Sequence, residues 1–290
     1  MKSFSSKILL LGEHIVNLGA EALAIPYDSF YCKLSYDALH NDFVNESPDI
    51  LRAIKAYIAK DEDLRKHYHL ELFEQDLAKD LGFHMNIPIG YGLGSSGALV
   101  AAVFDRYGKR KYKKEDTLKK ILGQTESFFH GKSSGLDPLV SYLNCNVWIG
   151  SETKVVKQEL DWKSNFEIFL VNTNQPRKTG PLVEAFLEKA SNDELFNTIL
   201  MEELIPTSNK LVSNFLHNNH DDTMTHIEEL STLQLRHFQE LILPEHIDLW
   251  MLGLASKEYY LKICGAGGGG FMLGFTRDKN IKLPFEVIWI

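Results

Sequence analysis

Residues 90–97, Gly-Tyr-Gly-Leu-Gly-Ser-Ser-Gly, stand between an apolar run and a segment typical of a buried helix. Glycines let the backbone approach a ligand, and N–H groups at a helix start attract anions. One serine hydroxyl would join a metal and phosphate shell while the other caps the helix. The pattern predicts a phosphate-binding loop, and a capped helix without a ligand is the simpler alternative.

Two other nucleotide-binding patterns overlap this part of the chain. Residues 92–97 satisfy GxGxxG, but the dinucleotide-binding version needs an acidic residue on a following strand. The stretch before Glu115 and Asp116 is basic and lacks strand character. Gly131-Lys132-Ser133 matches the end of a Walker A loop, yet Glu126 occupies the position where that motif needs glycine. Neither pattern accounts for the sequence.

Two carboxylates, Glu126 and Asp137, flank a predicted helix end and a Ser-Gly turn. Phosphoryl transfer to an alcohol needs a metal held by a carboxylate and a hydroxyl. A second carboxylate often orients or deprotonates the attacking hydroxyl. Taken singly, Asp137 before a proline is an ordinary helix start and Glu126 a solvated helix position. Together they suit the two catalytic roles.

Polar residues and glycines also mark the ends of two strand-like runs. Lys7 precedes the apolar run 8–11, and Glu13 and His14 follow its glycine turn. Lys7 would supply charge near a reacting oxygen, although a strand-initiating lysine and a turn histidine are common. Five glycines lie within residues 265–270. Such a loop is entropically costly, and a close approach to substrate or phosphate explains it better than a simple hairpin.

The elements that must position these residues are mixed in type. The predicted strands are residues 7–11, 23–25, 30–34, 83–89, 147–149, 166–172, 259–264 and 271–275. The predicted helices are most of 48–81, then 98–107, 118–130 and 181–190, with more up to Trp250. Residues 137–143 are a third helix or an extended segment after the second carboxylate. No fixed-period repeat occurs.

The charge and hydrophobicity of the chain limit the kinds of molecule that it is expected to bind. The 290 residues are 44% hydrophobic and carry a net charge of −8, with basic residues spread out except around 109–114. A nucleic-acid partner is therefore not expected. No run approaches the roughly 18 to 20 apolar residues of a membrane span. Residues 1–6 lack a signal-peptide apolar region, so a cytoplasmic protein without a membrane partner is predicted.

Taken in order, residues 7–14, 87–96, 126–137 and 263–270 resemble the three motifs of GHMP kinases plus the Glu-to-Asp segment of the mevalonate kinase branch. The resemblance spans nearly the whole chain and implies a two-domain α+β fold.

In that fold, residues 1–160 form a ribosomal-protein-S5-like N-terminal α+β domain that carries the phosphate loop and both carboxylates. Residues 161–290 form a ferredoxin-like C-terminal α+β domain that carries the glycine-rich loop.

The resemblance also implies ATP and Mg²⁺ as cofactors. The nucleotide phosphates would contact Gly92, Leu93, Gly94, Ser95 and Ser96. Ser96 and Glu126 would hold Mg²⁺, and the alternative that Ser95 is the serine ligand stays open. Asp137 would be the catalytic base, assisted by Lys7.

Two segments bear on the phosphate acceptor. Gly-Glu-His followed by Ile15, Val16 and Gly19 is more similar to mevalonate kinases than to galactokinases, and residues 172–179 are similar to a segment with an arginine and a threonine near the substrate. The implied acceptor-binding residues are Glu13, His14, Arg177, Thr179, Gly267 and Gly268. Arg177 would grip a carboxylate, and the alternative is a loop arginine with a helix cap.

Three departures from the family pattern concern the acceptor: Ser5-Ser6 replace Pro-Gly, Gly97 replaces Ala, and the chain is short. Phosphorylation of mevalonate to 5-phosphomevalonate in isoprenoid biosynthesis is the favoured activity. A sugar or phosphomevalonate is the alternative acceptor, and a phosphorylated one would require extra cations near Lys178 or the 265–270 loop. An alternative from a different functional class is a catalytically inactive regulator that binds ligand. Family analogy suggests a homodimer.

Overall fold

The computed structural model describes residues 1–36, 47–109, 112, 114–150, 153–156, 160–163, 165–177, 179–219 and 222–290. The strands in this part are β1 (Ser3–Leu11), β2 (Ala22–Ser35), β3 (Gly82–Met85), β4 (Asn146–Ile149), β5 (Thr153–Val156), β6 (Glu167–Asn172), β7 (Tyr259–Ile263), β8 (Phe271–Thr276) and β9 (Val287–Trp289). The α-helices are α1 (Ser47–Lys60), α2 (Leu70–Leu77), α3 (Ser95–Tyr107), α4 (Glu115–His130), α5 (Leu136–Leu143), α6 (Thr179–Asn192), α7 (Glu194–Ile199), α8 (Ile205–Leu216), α9 (Thr223–His237) and α10 (Pro244–Ser256).

The first sheet is built around the long strand β2. One edge of β2 pairs antiparallel with β1, from Ser3 opposite Lys33 to Leu11 opposite Leu23. The other edge pairs with β3 at one end and with β4 at the other, and β5 extends the sheet from β4. Helices α3 and α5 pack against β1. The strand that carries Lys7 is therefore enclosed by two helices.

Helix α3 is the central helix of this half of the protein. Every residue from Gly97 to Phe104 is buried. A helix that is apolar on all faces must be enclosed, and α3 packs against β1, β2, α4 and α5. Its N-terminus is consequently held at a fixed place relative to both carboxylate-bearing helices.

The second sheet has the strand order β7-β8-β6-β9, with all pairs antiparallel. Helices α9 and α10 pack on β7. The strands of the first sheet end at Val156 and those of the second begin at Glu167. The predicted α+β fold is confirmed. The predicted boundary between residues 160 and 161 falls between the two sheets and stays a prediction.

Several local predictions differ from the structure. The strand predicted over 83–89 ends at Met85, because Pro88 lacks an N–H and Ile89 is 64% exposed. The expected serine cap is wrong: Gly94, in the left-handed region, is the N-cap residue of α3, and no side chain among the described residues caps the helix. The short strands β5 and β9 were not predicted.

The cysteines form no disulfide within the described part of the chain. Cys32 and Cys264 are buried, Cys145 is partly exposed, and all three are free thiols. Across the described ranges, no helix has the length and apolar character needed to cross a bilayer.

Candidate active site

Four elements bring the predicted catalytic residues together. Lys7 lies on β1, Ser96 in the first turn of α3, Glu126 in the last turns of α4, and Asp137 in the first turn of α5. The chain achieves this because α3 is a buried central helix against which β1, α4 and α5 all pack. The structure thus places in one cluster four side chains that are up to 130 residues apart.

Lys7 and Asp137 form an ion pair in which Nζ lies 3.1 Å from Oδ1. The lysine side chain is 4% exposed and the aspartate 31%, so the carboxylate is the more solvent-accessible partner. Burial is the largest single influence and lowers the pKa of Lys7, but the charge and hydrogen bond of Asp137, together with Cys264 and Glu13, outweigh it and the net shift is upward. The backbone N–H of Lys7 donates to Leu93 O at 3.0 Å. Strand β1 is thereby attached to the glycine loop.

Glu126 is the second carboxyl group of the cluster and is buried, with 4% exposure. Ser96 Oγ donates to Oε1 at 2.8 Å, and Ser133 Oγ donates to Oε2. Burial, followed by the charge of Asp137, raises the pKa of Glu126 to about 7. A divalent cation would relieve this crowding of negative charge.

The donor set fits Mg²⁺, which prefers oxygen ligands and binds through one or two carboxylates plus substrate phosphates. Within the described ranges, no group of three or more His, Cys, Asp or Glu side chains could hold a metal ion. The protein oxygens would therefore be a minority of the cation's ligands, with phosphate oxygens and water supplying the others.

The start of α3 is shaped for an anion. The first bond of the helix runs from Ala98 N to Gly94 O. The N–H groups of Ser95, Ser96 and Gly97 precede this ladder, and the positive end of the helix dipole lies with them. Phosphate is the ligand that such a site favours.

Two departures from the family pattern have structural causes here. A Cβ at Gly97 would lie 2.8 Å from both the carbonyl carbon and the Cβ of Asp137. Glycine therefore allows α5 to approach α3, and the close approach places the aspartate at the site. The hydroxyls of Ser5 and Ser6 bond to β2 within the first sheet.

Arg177 lies between the phosphate loop and the glycine-rich loop. Its Nη1 donates to Gly269 O at 2.8 Å, and its backbone N–H donates to Gly90 O at 3.1 Å. A Cβ at Gly92 or Gly265 would come within 2.6 Å of Nη2, so only glycine leaves room for the guanidinium. Burial lowers the pKa of Arg177, and its Nε has no hydrogen-bond partner in the part of the chain that the structure describes. This desolvated cation is suited to an anionic ligand.

Glu13 pairs with Lys262, a residue that the sequence reasoning missed. Lys262 Nζ donates to Glu13 Oε1 and to Ile263 O, and both side chains are about 2% exposed or less. The available signal was a lysine inside the apolar run 259–263 directly before the glycine-rich loop. The pair joins the turn after β1 to β7.

His14 is held by the second half of the protein. Its Nε2 lies 3.0 Å from Ala266 O, so this nitrogen carries the proton, and its ring stacks on Phe186 at 4.5 Å. Burial first, with a contribution from the Arg177 charge, lowers the pKa of His14 to about 4. The imidazole is therefore neutral at neutral pH.

We expect His14 to make the protein less stable in mild acid. The unfolded chain has the higher histidine pKa, so it binds more protons than the folded chain between pH 6.5 and 4, and stability falls as the pH drops through that window. The loss reaches at most about 3 kcal/mol. Urea unfolding at pH 7.5 and 4.5 measures it, with His14→Gln as the control. Equal losses in both proteins would contradict the assignment to His14.

The remaining predicted acceptor residues are placed less favourably. Gly268 N already donates to Leu241 O at 2.6 Å, and a Cβ at Gly267 would meet the same carbonyl. These two glycines pack on the segment before α10 rather than on Arg177. Thr179 begins α6, and its side chain is outside the described residues, as is the whole of Lys178. Their roles stay predictions.

The fold and this cluster define a class of protein: an α+β kinase for small molecules. Residues 50–144 match the family described as GHMP kinases N terminal domain. This match, together with the mevalonate kinase relatives described next, confirms the resemblance to the GHMP kinase superfamily and supports the predicted small-molecule kinase class.

Two curated relatives match nearly the whole chain. A mevalonate kinase of Archaeoglobus fulgidus is 23% identical over 98% of this chain and 95% of its own length. A mevalonate kinase of Methanothermobacter thermautotrophicus is 25% identical over 94% and 90%. Among solved structures, Streptococcus pneumoniae phosphomevalonate kinase in complex with phosphomevalonate and AMPPNP is 15% identical, with a TM-score of 0.65, over 100% of this chain and 99% of that one. That last likeness shows the fold alone.

Proposed function

We propose that the protein transfers the γ-phosphoryl group of ATP to the hydroxyl of mevalonate, with Mg²⁺ as cofactor. The observation that carries the proposal is the Lys7–Asp137 ion pair next to the Ser96–Glu126 pair at the start of α3. An alcohol kinase needs a carboxylate at the reacting hydroxyl and a cation site at the phosphates. Both curated relatives are mevalonate kinases.

The carboxylate of Asp137 would accept or orient the hydroxyl proton of the acceptor. It is the more exposed of the two carboxylates and the one that contacts a lysine. The buried Lys7 ammonium offers positive charge where the transferring group becomes more negative. These two side chains supply proton acceptance and charge stabilisation.

The nucleotide phosphates would lie against Gly92, Leu93, Gly94 and the N–H groups of Ser95 and Ser96. Ser96 and Glu126 would hold Mg²⁺, which screens the phosphate charge when bound. Ser96 is favoured over Ser95 as the serine ligand because its hydroxyl contacts Glu126. The solved structure of the Streptococcus pneumoniae phosphomevalonate kinase is a complex with AMPPNP, an ATP analogue.

Arg177 would bind the acceptor carboxylate. Of the cations described in this region, Lys7 and Lys262 already have carboxylate partners, whereas Arg177 forms no ion pair with any described residue. One unpaired guanidinium suits one carboxylate group. Neutral His14 and the buried Glu13 would lie near the acceptor's uncharged part.

A phosphorylated acceptor is the second candidate because the phosphomevalonate kinase structure has the same fold. An acceptor that carries both a carboxylate and a phosphate needs more positive charge than Arg177 alone provides. The charge count of the described site therefore favours mevalonate. A homodimer stays a prediction from family analogy.

An ADP-release assay with ATP and Mg²⁺ tests the acceptor, using mevalonate, phosphomevalonate, galactose and homoserine. We expect release with mevalonate. Release with another acceptor would retain the kinase and discard mevalonate, and no release with any of the four would favour the inactive regulator.

Arg177→Met tests the carboxylate contact in the same assay. Loss of a charge-assisted bidentate contact should lower kcat/KM for mevalonate by about 10- to 100-fold, mainly through KM, because the arginine binds rather than reacts. Arg65→Met, at an arginine that is 53% exposed, is the matched control and should be unchanged. An unaltered KM for mevalonate in Arg177→Met would remove this arginine from the acceptor site.

A further inference from the structure

Ser133 is a polar residue of the cluster to which no role has been given. It lies in the turn between α4 and α5, in the Gly131-Lys132-Ser133 run that fails as a Walker A loop. Its hydroxyl donates to Glu126 Oε2 and accepts a bond of 3.0 Å from Gly135 N. The two bonds tie the carboxylate of Glu126 to the turn that leads into Asp137.

The hydrogen bonds around Glu126 have a definite direction. Ser96 Oγ uses its single proton on Oε1, at 2.8 Å. His130 Nε2, 3.1 Å from Ser96 Oγ, must therefore donate to that hydroxyl. Ser133 uses its own proton on the other oxygen, Oε2. Each carboxylate oxygen of Glu126 thus accepts one hydrogen bond from a serine hydroxyl, and the two serines belong to different segments of the chain.

Ser96 and Ser133 differ in the roles that their hydroxyl groups can play at the cation site. Ser96 is a proposed cation ligand. A hydroxyl oxygen that also binds the cation does not hold the neighbouring Glu126 carboxylate in the same way with and without the cation. Ser133 has its proton committed to Glu126 and its acceptor side to Gly135 N. Its position depends on the turn and not on the ligand.

We infer that Ser133 is a positioning residue of the cation site, whose hydroxyl holds the Glu126 carboxylate in the orientation that receives Mg²⁺. The inference rests on the proposed function, since it takes Glu126 as a magnesium ligand. Residues that hydrogen-bond to a metal ligand typically change metal affinity by about 10- to 100-fold when they are removed. Ser133 donates a single hydrogen bond to Glu126, so we expect a change in metal affinity of about tenfold.

The experiment measures AMPPNP binding by titration calorimetry across Mg²⁺ concentrations, with no acceptor present. Ser133→Ala should need about tenfold more Mg²⁺ for half-maximal nucleotide binding. Ser133→Thr keeps a hydroxyl and should stay within about twofold of the original protein. Ser127→Ala is the matched control on α4, because its hydroxyl bonds only to Gly123 O of the same helix in the described structure. Melting temperatures without ligand monitor the fold.

An unchanged Mg²⁺ requirement in Ser133→Ala would overturn the inference. Equal weakening in Ser133→Ala and Ser133→Thr, accompanied by equal losses of melting temperature, would assign the residue to the fold and overturn it as well. Failure of the original protein to bind AMPPNP at any Mg²⁺ concentration would instead remove the proposed function, and with it the basis of the inference.

Discussion

Asp137→Asn should lower kcat for the acceptor by about a thousandfold while leaving the dissociation constant of the Mg²⁺ nucleotide within about threefold. The amide has nearly the size of the carboxylate but cannot accept the hydroxyl proton, and general-base contributions are typically 10²- to 10⁴-fold. In the proposed site, nucleotide binding would depend on the loop at 92–96 and on Glu126, and not on Asp137. Steady-state rates and titration calorimetry measure the two quantities separately.

Asp105→Asn is the control for this experiment. Asp105 lies on α3 but is exposed on the side away from the cluster, so its amide variant should behave like the original protein. An Asp137→Asn enzyme that retains more than a tenth of its turnover would show that Asp137 orients Lys7 and does not accept the proton. A parallel loss of nucleotide affinity would show that Asp137 also belongs to the cation site.

The charges of the cluster explain why chemistry would depend on a cation. Lys7 and Asp137 offset each other, which leaves Glu126 as the uncompensated buried acid. Burial and the nearby aspartate raise the pKa of Glu126 to about 7. A bound divalent cation favours the ionised form of this carboxyl group. Under the proposed function, the site would therefore be complete only when the metal and the phosphates are bound together.

Part of the site could be predicted because the chain forms it locally. Glu126 and Asp137 are joined by one helix end and one turn, and the loop at 90–97 leads directly into α3. Such short connections leave little freedom in where the side chains go. The placement of Lys7 beside Asp137 depended on the family resemblance, because no local spacing relates two residues so far apart.

The missed features depend on packing between distant segments. Lys262 meets Glu13 across 249 residues, and no spacing rule relates them. The space that the Arg177 guanidinium occupies is formed where Gly92 and Gly265, which belong to separate loops, come together. The bond from Ser133 to Glu126 requires the exact path of the turn. The short edge strands β5 and β9 likewise owe their form to neighbouring strands, β4 and β6, and not to a strong pattern of their own.

Lys262→Met should destabilise the protein by about 3 to 5 kcal/mol, because removing one partner of a buried ion pair leaves the other charge uncompensated. Lys262 and Glu13 are both nearly inaccessible to solvent, and the described residues include no second cation in ion-pair contact with Glu13. Urea unfolding at pH 7.5 measures the change. Lys66→Met, which removes an exposed i,i+3 pair with Asp63, is the control and should give no measurable change.

The double variant Lys262→Met/Glu13→Gln separates the buried charge from the lost packing of the lysine. Because the neutral amide no longer needs a cation, the double variant should be more stable than Lys262→Met alone, with a coupling free energy of about 1 to 3 kcal/mol. Additive losses would mean that the two side chains stabilise the protein independently. A stable but inactive double variant would indicate that Glu13 and its ion pair with Lys262 serve the acceptor site, either by contact with the acceptor or by holding the turn after β1 in place.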